Sequence, residues 1–460
     1  MSAEQNTRVS IGRGAPRYVS EDVGALVEST LAALDLPADF IRPGDRVVLK
    51  PNWVKEHDER TPGPDAWEHV VTHPTVIEAV MDWVAKRLGG SGSITICDAP
   101  QTDSSFARIR EYCQLDAMVE HCARRFAGIE FRLLDLRPEE WLAVDGVTVS
   151  KTTLSGDPAG ATKVALNGAS EFVGYAGCGR LYGASFDLAE TNRHHAGDTH
   201  EYLLCRTPMD ADVLINLPKF KTHKKVGLTC ALKNLVGINA NKNWLPHHTE
   251  GTPDQGGDQF AANTAKARLE HSWMGTAKRW LKDRPLMSRL FVPVKKFGRV
   301  FFGDTQSVVR SGNWHGNDTC WRMVLDLNKC LFGFDGEGRP RSRPLRYLAV
   351  VDGIVGGEGN GPMAPDAKPC GVILAGRHPA AVDAVAATLM GFDHAKIRLL
   401  NNAFQMERAS FVDFQPDDIE TVSNHPAWRG GLAALEERFD FKPHFGWVGA
   451  IEDRRQALSA

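Results

Sequence analysis

Lysine, histidine and asparagine crowd into one stretch of the chain. Between positions 219 and 243 lie Lys219, Lys221, His223, Lys224, Lys225, Lys233 and Lys242, interleaved with Asn234, Asn239 and Asn241 and preceded by Asn216. Just ahead runs a short apolar segment, DVLINL at 212–217, which reads as a buried strand. In an open α/β sheet, ligands bind where strands end. Cations placed there can hold a carboxylate or a phosphate. Lys233 and Asn234 fall inside an otherwise apolar stretch, 228–236, that reads as helical. A charge in such a setting is costly unless it is paired. A lysine held there binds an anion or, with a lowered pKa, acts as an acid or base. His223 is the first candidate for proton transfer, with Lys233 and Lys221 beside it.

A second segment, DGIVGGEGNGP at 352–362, reads as a glycine-rich loop after a strand. Gly359 and Gly361 would let backbone N–H groups cradle an anion. Asp352 and Glu358 would orient cations or hold a hard divalent metal. The order of residues is neither a Walker loop nor a dinucleotide fingerprint, because no Gly-Lys-Ser/Thr ends it and no helix opens there. Two shorter motifs, Lys50-Pro51-Asn52 and Asp98-Ala99-Pro100, end two early strands. Thr72-His73-Pro74 opens a helix whose N-terminus favours anions. His194, His195 and His200 cluster beside acids, and His247-His248 form a second group. From these sets His194, His195, His200 and His248 are candidate ligands of a divalent metal, although no spacing is diagnostic. No Gly-x-Ser-x-Gly elbow offers a nucleophile, and Cys230, near the basic block, reads as a small buried residue.

The elements that must position these residues alternate. RVVL (46–49) and SITIC (93–97) read as strands flanking a helix over 74–88, which has Pro74 at its first position and Gly89-Gly90 after its end. Further strands are expected at 129–134, within 148–166, at 347–351 and at 371–375, with helices at 21–36, 320–330 and 380–390. This order predicts an α/β fold with a mostly parallel sheet, crossover helices and two closely packed lobes. The lobes span 1–240 and 319–460, and an insertion spans 241–318. In parallel strands, Lys50, Asn52, Asp98, Lys219, Asn234, Asp352 and Glu358 would converge on one sheet edge as an anion or cofactor site. The insertion carries a helix near 260–281 and a basic stretch at 278–299 with eight cations and one acid. That stretch offers a peripheral contact for an anionic membrane or an acidic partner.

Composition narrows the classes. The chain has 460 residues with a formal net charge of −3, so no global basic field for nucleic acid is present. No apolar run is long enough for an ordinary transmembrane segment, and the first residues do not read as a secretory signal. The nine cysteines are dispersed, with no two within four residues of each other. That pattern suits reduced thiols and a cytoplasmic setting, and it argues against an iron–sulfur cluster.

Several separated segments then carry a family resemblance. INLPKFKTHKKVGLTCALKNLVGINANKNWLPHH (215–248), VVLKPNWV (47–54), VTHPTVIEAVMDWV (71–84), CDAP (97–100), DGIVGGEGNGP (352–362) and HPAAVDAVAATLMG (378–391) resemble, in order, the family called domain of unknown function 362. Many of its members add ferredoxin-like cysteine clusters, which this sequence lacks. A more distant similarity is to the lactate racemase family and its nickel pincer nucleotide cofactor, carried here only by an α/β sheet with His and Lys at strand ends.

The expectation is an α/β enzyme that binds an anionic small molecule or cofactor bearing carboxylate or phosphate and uses Lys/His acid–base chemistry. One alternative is a metal-dependent redox or racemase-type enzyme built on the histidines. Another is a non-catalytic ligand- or partner-binding protein.

Overall fold

A computed structural model describes residues 6–144, 147–185, 187–262 and 308–453. The expected helix near 260–281 and the basic stretch 278–299 lie essentially outside these residues.

The strands, in chain order, are β1 (Arg8–Arg13), β2 (Arg46–Pro51), β3 (Gly92–Asp98), β4 (Ile129–Asp135), β5 (Glu139–Val144), β6 (Val147–Thr153), β7 (Ala161–Ala165), β8 (Leu181–Gly183), β9 (His195–Ala196) and β10 (Thr199–Cys205). They continue with β11 (Val213–Leu217), β12 (Lys219–His223), β13 (Gly227–Thr229), β14 (Pro246–Thr249), β15 (Arg346–Asn360), β16 (Ala364–Gly376), β17 (Glu420–Ser423) and β18 (Gly430–Gly431). Five helices matter for the site or its support: α1 (Ser20–Ala32), α2 (Pro74–Leu88), α3 (Ala231–Asn234), α4 (Cys320–Gly333) and α5 (Pro379–Met390).

Eleven strands form one mixed, mostly parallel sheet in the order β18-β17-β1-β16-β15-β11-β2-β3-β4, with β12 on β15 and β13 on β12. The centre β15-β11-β2-β3-β4 is all parallel. Its strands read as continuous apolar runs because both faces are covered. Residues Val47, Leu49, Ile94, Ile96, Val213, Ile215 and Leu348 meet the buried stripes of α1 and α2 on one face. Val48, Leu214, Ala349 and Val351 meet α4 and α5 on the other. Both expected lobes contribute to this sheet. β1 sits between β16 and β17, and β15 sits beside β11.

Helix α2 forms as its sequence dictates. Pro74 follows the His73 N-cap, whose Nδ1 accepts from Thr75 N, and Gly89 at φ 60° ends the helix. Three expectations are corrected. The presumed glycine loop at 352–362 is largely strand: β15 runs to Asn360, pairing with β16 in a hairpin that is irregular between Gly353 and Val355. Residues 219–223 are not a loop past β11 but a strand, β12. The stretch 228–236 is helical only from Ala231, since Gly227–Thr229 pairs with β12. The strands within 148–166 do not pair with each other: β6 pairs with β5 while β7 joins β10.

Among the described residues no helix is long and apolar enough to cross a membrane.

Candidate functional site

Strand β12 positions the centre of the site. Pro218 separates it from β11, and β12 then follows the second half of β15, with Lys219 opposite Asp352 and Lys221 opposite Gly357. Side chains alternate along a strand. Lys219, Lys221 and His223 therefore share one face, while Phe220 and Thr222 take the other. Phe220 packs on Phe441, with ring centroids 5.0 Å apart. Thr222 Oγ1 donates to Gly359 O at 2.9 Å. This approach explains Gly356 of β15 and Gly361 just beyond it. A Cβ at Gly356 would lie 2.9 Å from Phe220 O, and one at Gly361 would lie 2.0 Å from Thr222 O. Gly359 N donates to Lys442 O and Gly361 N to Gly359 O. Neither amide is left for an anion, so the expected glycine cradle is replaced by close strand packing.

Two lysines of the expected clamp are already neutralised. Lys50 Nζ lies 2.8 Å from Asp98 Oδ1, with both side chains almost fully buried. It also donates to Pro51 O at 2.7 Å and Asn234 Oδ1 at 3.3 Å. Asp98 further accepts from Trp53 N and Ala99 N. Gly237 covers the pair so closely that a Cβ there would fall 1.9 Å from Asp98 Oδ1. Lys219 donates to Asp352 Oδ2 at 2.8 Å and to Tyr18 Oη at 2.7 Å, wholly buried. Asp352 also accepts from His73 N at 2.9 Å. A side-chain carboxylate thus occupies the anion-favouring start of α2. Asn52 donates to Asn234 Oδ1, Asn234 to Asn216 Oδ1, and Asn216 to Tyr347 Oη. This amide chain ties β2, α3, β11 and β15 together. Glu358 binds Lys368 at 3.2 Å and accepts from Lys442 N, so it serves other partners than the lysines of β12.

The remaining lysines are different. Among the described residues Lys221, Lys224, Lys225, Lys233 and Lys242 have no carboxylate at ion-pair distance, and all but Lys224 and Lys242 are buried. Lys221 Nζ donates to Val70 O and Pro362 O, Lys225 Nζ to Ser311 O, and Lys242 Nζ to Ala99 O. Lys233 Nζ donates to none of the described groups. Burial pushes all five ammonium pKa values down, to about 8 for Lys225 and Lys242. Mutual repulsion adds to this. Lys233 acts on Lys221, Lys225, His223 and His247, and Lys50 acts on Lys233.

The two imidazoles in this field have opposite hydrogen-bonding roles. His223 Nδ1 lies 3.0 Å from Lys225 N, which can only donate, so the proton of neutral His223 sits on Nε2. His247 Nδ1 lies 2.8 Å from Leu245 O, which can only accept, so Nδ1 carries the proton and Nε2 is bare. Burial holds both rings neutral, their pKa values well below the ordinary 6.5. One ring offers an N–H and the other a lone pair.

Helix α3, which carries Lys233 and Asn234, is fixed by Asp383 of α5. Its carboxylate accepts from Ala231 N at 2.6 Å and Leu232 N at 3.0 Å. Burial raises the Asp383 pKa to about 7. Asp383, Tyr18, Lys225, Lys242 and His247 were outside the expected site. The signal for Asp383 was present: one acid inside the apolar run AAVDAVAATLM. The choice of His247 over His248 was not. On β14 neighbours face opposite ways, and His248 stacks on Tyr182 at 4.7 Å.

The other histidines do not join this cluster. His194 stacks on Trp244 at 3.4 Å and bonds Glu201, while His195 bonds Trp244 O. His200 is a cross-strand neighbour of His195, with ring centroids 6.0 Å apart. Among the described residues no three His, Cys, Asp or Glu side chains are grouped to hold a metal ion.

The sequence model of a family described as Domain of unknown function (DUF362) matches residues 47–167 and 145–388, well over half of the chain. No curated protein matches the chain.

Proposed function

The chain belongs to the DUF362 family, and within it we propose that the protein is an enzyme for a small anionic substrate bearing carboxylate or phosphate. Lys221, Lys225, Lys233 and Lys242 bind the negative charge, with Lys224 at the rim. His247 Nε2 accepts a proton from the substrate, and the His223 Nε2–H stabilises the oxygen on which charge develops. Lys50–Asp98, Lys219–Asp352 and the asparagine chain hold these groups in place and do not touch the ligand.

One observation carries this reading: Lys233 lies within electrostatic reach of Lys221 and Lys225, Lys224 adjoins Lys225, and Lys242 acts on the same His247 as Lys225 and Lys233, yet none of the five has a carboxylate at ion-pair distance among the described residues. Buried ammonium groups of one sign are costly to hold. An anion seated among them lowers that cost, so the ligand stabilises the fold. The neutral imidazoles with opposed tautomers favour proton transfer over binding alone.

Thermal unfolding of the full chain with inorganic phosphate, pyrophosphate and citrate tests the reading. At least one should raise Tm in a saturable way, and the rise should be lost in Lys233→Ala and Lys225→Met. If none of the three anions raises Tm beyond an equal ionic strength of chloride, the reading is wrong.

A further inference from the structure

The lysines of the cluster are not equivalent. Lys221, Lys225 and Lys242 each donate to at least one backbone carbonyl. A carbonyl acceptor favours the ammonium form. Lys233 Nζ has no such acceptor among the described residues, and the residue is 8% exposed. Around it lie the cations Lys221 and Lys225 and the Cys320 thiol, with Lys50, itself paired to Asp98, beyond. The amide beside it in sequence is locked, since Asn234 Nδ2 donates to Lys50 O and Asn216 Oδ1. Asp383 fixes the start of the short helix that carries both residues. A lysine desolvated beside other cations is the arrangement that activates an amine for attack on a carbonyl.

Building on the proposed function, we infer that Lys233 forms a Schiff base with a substrate whose carbonyl lies next to a carboxylate or phosphate. The neighbouring lysines hold the anionic group, and the uncharged Lys233 amine attacks the carbonyl carbon. A C–N bond forms and the carbonyl π pair moves to oxygen, which the His223 N–H stabilises. His247 Nε2 takes a proton from the attacking nitrogen and returns it to the carbinolamine oxygen. A second proton, drawn from solvent, joins the resulting hydroxyl as the C–O bond breaks, so one water leaves and the imine remains in its protonated iminium form. No oxidant or reductant is consumed. The resulting iminium withdraws electrons from the adjacent carbon, which is the chemistry of aldol-type cleavage, decarboxylation or proton exchange.

The test is reductive trapping on the full-length protein. Glyoxylate, pyruvate and dihydroxyacetone phosphate are each incubated with the protein at pH 8, and sodium borohydride is added. Intact mass and peptide mapping then locate any adduct. The expected result is one reduced adduct per chain, placed on Lys233 and suppressed by pyrophosphate. It is lost in Lys233→Arg, which keeps the charge but not the amine. Acetone, which lacks the anionic group, should leave no adduct at the same concentration. Adducts scattered over surface lysines, or none with any of the three carbonyl anions, overturn the inference. Thermal shift with phosphate or pyrophosphate separates the two ideas. A retained shift without an adduct removes the imine alone, and loss of both removes the anion site as well.

Discussion

Replacing Lys225 by Met should make the ligand-free protein more stable at pH 7, and the gain should fade in base. Lys225 is buried, and its Nζ bonds only Ser311 O among the described groups. Its pKa falls from the ordinary 10.5 to about 8, chiefly through desolvation and with Lys224 and Lys233 adding repulsion. A fall of that size corresponds to ~3 kcal/mol of destabilisation when both states are protonated. The sign follows from proton counting. Between pH 8 and 10.5 the unfolded chain binds the proton and the folded chain does not, so stability rises with pH in that window. Below about pH 8 the full cost remains, and above 10.5 it is gone. Methionine has similar length and no charge, so it escapes the cost at every pH. Leaving Ser311 O without its donor subtracts about 1–2 kcal/mol. The net gain at pH 7 is then roughly 1–2 kcal/mol, or a few degrees in Tm. Urea titrations of both proteins at pH 7 and pH 10 measure it. The variant's advantage should shrink by ~2–3 kcal/mol between the two conditions. If the difference between the proteins is the same at both pH values, the buried-cation argument fails.

Three further outcomes are expected. Gly237→Ala drives a Cβ into the Lys50–Asp98 pair and should cost several kcal/mol, roughly as much as breaking a buried pair; a Tm within a degree of the parent would contradict that packing. Lys50→Met leaves the Asp98 carboxylate buried without its cation and should lose about 3–5 kcal/mol, whereas Lys50→Met combined with Asp98→Leu should recover part of the loss; a double-mutant cycle in urea measures the coupling. Asp383, with its pKa raised to about 7, lets the unfolded chain release a proton that the folded chain keeps, so its contribution declines as pH rises from about 4 to 7. Asp383→Asn should flatten that slope in urea midpoints taken across this range, and an unchanged slope would place the carboxylate in another environment.

Much of the scaffold was legible because it rests on local rules. RVVL, SITIC and DVLINL are uninterrupted apolar runs and became the parallel centre of the sheet. The helix at 74–88 carried its own proline start and glycine stop. The segment 352–360 misled for a physical reason: glycine normally weakens a strand, and here it is required because β12 lies against it. Within the site, the identity of the basic block was legible but its division of labour was not. Lys50 and Lys219 resemble Lys221 and Lys233 in sequence. Only the sheet order reveals that Asp98 and Asp352 already hold the first two. Likewise, which of His247 and His248 faces the lysines depends on where β14 begins, a boundary that residue types do not mark.

The zigzag of β12 has a consequence for how this chain can vary. Lys219, Lys221 and His223 owe their shared outlook to a step of two that begins right after Pro218, and Phe220 owes its place among the aromatic rings to the alternate positions between. Gain or loss of one residue at that proline would turn the segment over, putting phenylalanine where the amines belong and ammonium groups into the oily side. The segment can therefore tolerate exchange of letters far more readily than a change of length, and insertions should accumulate elsewhere in the chain.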